Sequence, residues 1–304
     1  MHGQQNREGL VLSENHLNES SASESVAPYA HLIGGASPGL KLASCIYLEG
    51  MEEFRPEAML DLVEEWFTSR GSKPKVVLVR SGGETGLPRF TIKTLRKALS
   101  EPRLLRTLKT LQFFPKGRTT VDDTWRPAVY FAVSVERPES AFCCSIEALE
   151  SDLAFLRKGN LALGSCAAYA FPFPERFSPL GYYWGMSIEP AGRTVGRWGK
   201  NESRRLSHWR DNTQIGIQTA GKRRFYRVCD GYVRDAYPVM LLGAKHLARR
   251  VGTATLAEAI EQQSLGSLAP DGEGLLWRIP PEKLAEVQRL LDDNDISLSG
   301  RRLE

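Results

Sequence analysis

The stretch VRDAYPVMLLGAKHLARRVG, residues 233–252, concentrates residue types that do chemistry. Arg234 and Asp235 precede Tyr237 and Pro238, and His246 follows. An arginine–carboxylate pair orients a substrate or locks a turn, and a histidine near a carboxylate moves protons. A catalytic reading also needs a nucleophile, a base or metal ligands at workable spacing. The five histidines are His2, His16, His31, His208 and His246, and none forms an HxH or HExxH pattern. There is no GxSxG elbow. The five cysteines (Cys45, Cys143, Cys144, Cys166, Cys229) contain no CxxC. GGASPGLK (Gly34–Lys41) has its lysine one place too far on for a phosphate loop, no Ser/Thr after it and no strand before it. The chain is therefore expected not to be an enzyme and to carry no catalytic, metal or cofactor residues. The Arg234–Pro238 corner is expected to be architectural, because proline fixes the backbone and Arg–Asp pairing locks a turn. His208, inside LSHWRDN, reads as a helix-surface or core residue. His246 reads as a cation near a helix C-terminus, where it complements the dipole.

Charge offers a second kind of chemistry. The net charge is only +4. Residues 1–69 nevertheless hold 11 acids and 3 bases, whereas residues 193–234 hold 11 bases and 3 acids. Such polarity steers partners. The acids Glu57, Asp61, Glu64 and Glu65 fall on one side of a helical pattern and form a candidate docking face for a basic partner. In the basic block, arginines interleave with aromatics (Arg197-Trp198, Trp209-Arg210, Arg224-Phe225-Tyr226-Arg227), as in surfaces that pair phosphates and stack on bases. It carries no RNP, KH or zinc-finger pattern. A nucleic-acid-binding module using 193–234 is the alternative reading.

The elements that position these residues alternate. SCIYL (44–48) reads as a strand. Pro56 opens a helix to Ser69, with Ala58, Met59, Leu62, Val63, Trp66 and Phe67 on one stripe. KVVLVR (75–80) reads as a strand closed by the turn SGGETG. Residues 91–111 read as a helix with an interruption at Pro102. VYFAVSV (129–135), LALGSCAAYAF (161–171), KRRFYRV (222–228) and LLWRIP (275–280) read as strands, and YYWGMSI (182–188) as a strand or an irregular aromatic segment. Helices are expected over 145–159, from Asn201 to about Asp211, and from Pro281 with Leu284, Val287, Leu290 and Leu291 at helical spacing. This is an α+β chain. The expected organisation is a polar tail (1–38) and two mixed α/β subdomains (39–178 and 179–304), with short sheets flanked by helices. The length suits a sizeable core, and 41% hydrophobic with 25% charged residues is the composition of a soluble globular protein. No apolar run approaches the about 20 residues that span a bilayer. No charged and apolar leader pattern opens the chain, so no secretory signal is expected. With an odd cysteine count, reduced thiols and a cytoplasmic location are expected.

From the Arg234–Pro238 corner onward the chain resembles a known family. After the corner come Leu242 and Leu247 in a Leu-x-x-x-x-Leu helix and a Val251-Gly252 turn. Leu256, Ala257 and Ile260 then form a short helix, Leu276-Trp277 a strand, and a helix closes the series. This resembles the immunity protein 52 family, found beside toxins of polymorphic and type VI secretion systems. The resemblance covers residues 180–292 and, loosely, the preceding half. It implies an antitoxin-like protein that binds a cognate toxin effector, often a nuclease. Occlusion, or disruption of effector assembly, is expected rather than whole-protein DNA mimicry, which the net positive charge opposes. The two halves' cleft and the loops SGGETG and FPKGRTTVDD are expected docking places.

Overall fold

The structure is a computed structural model that describes residues 42–51, 53–81, 89–101, 108–115, 130–134, 140–145, 149–174, 200–213 and 226–304. The expected tail, the strand or irregular segment at 182–188 and most of the loops SGGETG and FPKGRTTVDD lie outside them.

The strands are β1 (Leu42–Glu49), β2 (Pro74–Ser81), β3 (Arg89–Phe90), β4 (Leu108–Pro115), β5 (Tyr130–Ser134), β6 (Ser140–Ser145), β7 (Ala167–Pro174), β8 (Val239–Leu242), β9 (Arg250–Val251), β10 (Ala254–Thr255), β11 (Ser267–Asp271) and β12 (Gly274–Arg278). The helices are α1 (Pro56–Thr68), α2 (Ile92–Leu99), α3 (Leu149–Leu163), α4 (Lys200–Thr213), α5 (Ala244–Leu247), α6 (Leu256–Gln262) and α7 (Leu284–Asp293). This is an α+β fold. Ten strands join in one sheet, in the order β11-β12-β8-β7-β1-β6-β5-β4-β2-β3, and β9 and β10 form a separate hairpin. Every pairing in the large sheet is antiparallel. Strands from the two expected halves meet where β7 pairs β8, with Ala167 opposite Leu242. The expected short sheets are thus one continuous sheet.

Side chains along a strand alternate between faces, and here the alternation sorts the core in two. Cys45, Tyr47, Tyr169, Phe171, Met240, Leu242 and Trp277 meet α4, α6 and α7 on one face. Ile46, Leu48, Ala168, Ala170, Val239, Leu241 and Leu276 meet α1, α2 and α3 on the other. The helices of the earlier half cover one face and those of the later half cover the opposite one. The shared sheet is the middle of three layers.

Local signals explain the starts of α1, α2 and α6. Pro56 takes the first position of α1, where its missing N–H costs nothing. The buried stripe is Met59, Leu60, Leu62, Val63, Trp66 and Phe67. Capping boxes start α2 (Thr91 with Thr94) and α6 (Thr255 with Glu258). Some expectations fail: the helix expected over 91–111 stops at Leu99, and Leu108–Pro115 is a strand. Pro102 disfavours helix in the residue before it. Beyond it the pattern has period 2, and Leu111 and Phe113 both enter the α1/α2 face of the core. Likewise Leu161–Gly164, expected in a strand, closes α3, and the strand begins at Ala167. Gly164 (φ +64) ends that helix in the left-handed region, which favours glycine.

Candidate functional site

Among the described residues, two of the places that gather chemically capable side chains are the Arg234–Pro238 corner and the outer face of α1.

The corner is interior. Arg234 and Tyr237 are fully buried, and Asp235 is 1% exposed. Arg205 of α4 reaches in and donates from Nε to Asp235 Oδ1 at 3.2 Å. It also donates from Nη1 to Asp292 Oδ2 of α7 at 2.8 Å and from Nη2 to Ser299 Oγ at 3.0 Å. Burial works against the Arg205 charge, but Asp235 and Asp292 more than offset it, so its pKa lies above the ordinary value. The Arg234 guanidinium lies 4.2 Å from the Trp209 ring centre and 5.7 Å from that of Tyr47. The Arg234 carbonyl accepts from Ser297 Oγ and Ser299 Oγ, each at 3.0 Å. Gln288 Oε1 accepts from the Ala236 amide at 2.9 Å. Tyr237 stacks on Phe171, with ring centres 4.5 Å apart. These contacts fasten the corner ahead of β8 to β7, α4, α7 and residues 297–299. These groups are enclosed in the interior, where they join elements of the fold.

His246 differs from its sequence reading. It is 1% exposed, and burial pushes its pKa down to about 4. It is a neutral core residue rather than a cation at a helix end. His208 is part-buried, with Nδ1 3.2 Å from the Gly300 carbonyl oxygen. Burial is also the first cause raising Cys166, with Cys229 and Glu49 adding to it, and the thiol sits at about 12. Among the described residues no group of three or more His, Cys, Asp or Glu is arranged to hold a metal ion. No helix among them is long and apolar enough to cross a membrane.

The acids of α1 are on the surface. Side-chain exposure is 60% for Glu57, 70% for Asp61, 53% for Glu64 and 40% for Glu65. The structure brings the first three onto one cation that sequence reasoning missed. Arg96 of α2 donates from Nη1 to Glu57, and from Nη2 to Asp61 at 2.9 Å and to Glu64 at 3.1 Å. The hydrogen bond to Glu57 is the first cause that raises the Arg96 pKa. Lys158 of α3 pairs with Glu65. The acid spacing of four, three and one hinted at a stripe in want of a cation, but nothing local named Arg96, 35 positions beyond Asp61. Four carboxylates against two cations leave the face net negative and hold its side chains in place.

The basic block is partly consumed by the interior. Arg205 and Arg234 are buried, as are Trp209 and Tyr226. Arg204, Arg210 and Arg227 remain exposed. A cleft of about 520 Å³ opens beside Tyr226 and Tyr232, edged by Arg302 and by an Arg301–Asp295 ion pair.

The fold and these two places define an α+β chain with a charged outer helix face and a buried polar corner. No protein-family model matches the chain, and no curated protein matches it. Among solved structures it is similar to a Pseudomonas aeruginosa T6SS protein, at 12% identity and a TM-score of 0.46, over 85% of this chain and 73% of that one.

Proposed function

We propose that this chain is an immunity protein that binds and neutralises a cognate secreted antibacterial toxin, a nuclease-type effector, by occluding it or disrupting its assembly. The observation that carries the reading is the α1 face, where Glu57, Asp61, Glu64 and Glu65 are exposed yet held in place by Arg96 and Lys158. A nuclease presents basic side chains to phosphate, and a pre-formed acidic face attracts the same surface. The resemblance of the corner and the elements after it to immunity protein 52 chains supports the same reading. Such a protein works in the cytoplasm, where the toxin meets its target.

The alternative, nucleic-acid binding through residues 193–234, is disfavoured by a specific observation. Arg205 and Arg234 are buried and bonded internally, and Trp209 and Tyr226 are buried with them, so these four are withheld from phosphates and bases.

The test is calorimetric binding of the purified chain to the product of the adjacent reading frame, at rising salt. Reversing Glu57, Asp61, Glu64 and Glu65 to lysine together is expected to weaken binding and flatten its salt dependence. Unchanged affinity and an unchanged salt slope would remove the acidic face from the account.

A further inference from the structure

We infer that Cys166 and Cys229 are a thiol pair poised to close into a reversible disulfide when a small-molecule disulfide reaches them. Cys166 stands just before β7 and Cys229 in the 228–230 turn, far apart in the chain. The end of β1 brings them together. Gly50 follows β1 with φ +74° and carries no side chain. The point where a Gly50 Cβ would stand is 2.0 Å from Cys166 Sγ and 3.4 Å from the Cys229 amide nitrogen. The sulfur and that nitrogen are therefore at most 2.0 Å plus 3.4 Å apart. A disulfide joins Cβ atoms about 3.8 Å apart through an S–S bond of about 2 Å, so this separation is within its reach. The Cys166 amide donates to the Glu49 carbonyl at 3.0 Å, and Sγ lies 3.7 Å from the same oxygen. Both contacts hold the sulfur over the Glu49–Gly50 backbone. Cys166 and Cys229 are half-buried, whereas Cys45 is fully buried. A dissolved disulfide reaches the pair and not Cys45.

The two thiols differ in reactivity. Burial first, and then the charge of Cys229, push the Cys166 thiol up to about 12. The thiolate is the attacking form, so Cys229 reacts first. With glutathione disulfide, Cys229 gives its proton to water, attacks one sulfur and releases one glutathione as thiolate. Cys166 then passes its proton to that thiolate and attacks the Cys229 sulfur. The second glutathione leaves and takes up the proton that Cys229 gave to water. Two protein thiols lose two electrons, and one disulfide is reduced to two thiols. Capping Cys229 removes its charge, which is one of the causes that keep the proton on Cys166. The finished bridge ties the 228–230 turn to the end of β1 and the start of β7.

The test treats the folded full chain with glutathione disulfide, blocks the remaining thiols with N-ethylmaleimide and maps the non-reduced peptides by mass spectrometry. A peptide linking Cys166 to Cys229 is expected, and it disappears on reduction. Cys166→Ala is expected to leave one glutathione on Cys229. Cys229→Ala is expected to slow the loss of the Cys166 thiol by about tenfold or more, because its thiolate is scarce. The bridged chain is expected to melt above the reduced one, since the closed loop restricts the unfolded chain. Glutathione on both cysteines with no link between them overturns the inference. So does a link that forms only in urea, a link from either residue to a different cysteine, or a folded chain in which both thiols stay open to maleimide throughout. A bridged chain that melts below the reduced one also overturns it, because the pair would then have had to be forced together.

Discussion

Arg205 on α4 and Asp235 in the Arg234–Pro238 corner form a buried ion pair, with Arg205 Nε 3.2 Å from Asp235 Oδ1. A charge pair in the interior costs desolvation and repays it only when every remaining donor finds a partner. Here Asp292, Ser297 and Ser299 supply those partners.

Breaking the pair from one side is therefore expected to be severe. Asp235→Ala leaves Arg205 in the interior with Asp292 as its remaining carboxylate and deprives Ser299 of an acceptor. A loss of about 3 kcal/mol is expected, the lower end for stranding one member of a buried pair. Arg205→Met combined with Asp235→Leu is expected to recover part of that loss, since Asp292, 14% exposed and still accepting from Gln288 Nε2, is then the charge left without Arg205. Urea midpoints of the three proteins check both statements. Additive losses in the double variant contradict the pairing.

His246 makes stability depend on pH in a defined window. Its folded pKa of about 4 lies below the ordinary value of 6.5. As pH falls below 6.5, the unfolded chain takes up a proton at this residue while the folded chain does not. Stability is therefore lost progressively from pH 6.5 down to about 4, by up to about 3 kcal/mol from this residue. Above pH 6.5 the residue contributes no pH dependence. His246→Leu is expected to flatten the wild-type decline between pH 7 and pH 5. Equal slopes for the two proteins would show that the imidazole is not held neutral.

Gly50 tolerates no side chain. Its φ is +74°, and a Cβ built there would lie 2.0 Å from Cys166 Sγ. Gly50→Ala combines a left-handed backbone that alanine resists with a steric clash, and is expected to cost about 2–3 kcal/mol. Cys166→Ala removes the sulfur and is expected to relieve part of that cost in the double variant. Thermal melts measure it. A double variant no more stable than the sum of the singles contradicts the close approach.

The Arg96 cluster is expected to matter little for stability and more for association. Its carboxylates are half to two-thirds exposed, and such pairs contribute under about 1 kcal/mol each. Arg96→Ala is expected to leave the urea midpoint nearly unchanged while making the α1 face more negative. A partner's association rate at low salt should then rise. A large stability loss would recast the cluster as structural.

Much of this was legible in the residues themselves. The α1 stripe, Pro56 at its start and the acid row read directly off a period of 3.6. The burial of Arg234, Asp235 and Tyr237 left no mark in the local sequence, because Trp209, Arg205 and residues 297–299, which enclose them, come from distant parts of the chain. Long-range pairings left no local mark. Ala167 and Leu242 face each other across β7 and β8 although 75 positions separate them, so one sheet read as two. Arg96 was invisible as a site residue because its partners belong to another helix. His246 read as a cation near a helix C-terminus because that position is visible in sequence, whereas its burial is tertiary.

The central claim is neutralisation of a toxin by direct binding. The most direct test is to express the product of the adjacent reading frame in a bacterial host, alone and together with this chain, and to count survivors. Restored growth with this chain, lost when Glu57, Asp61, Glu64 and Glu65 are all reversed to lysine in a variant that still melts normally, is the predicted result. Undiminished killing in the presence of soluble, folded chain would contradict the account.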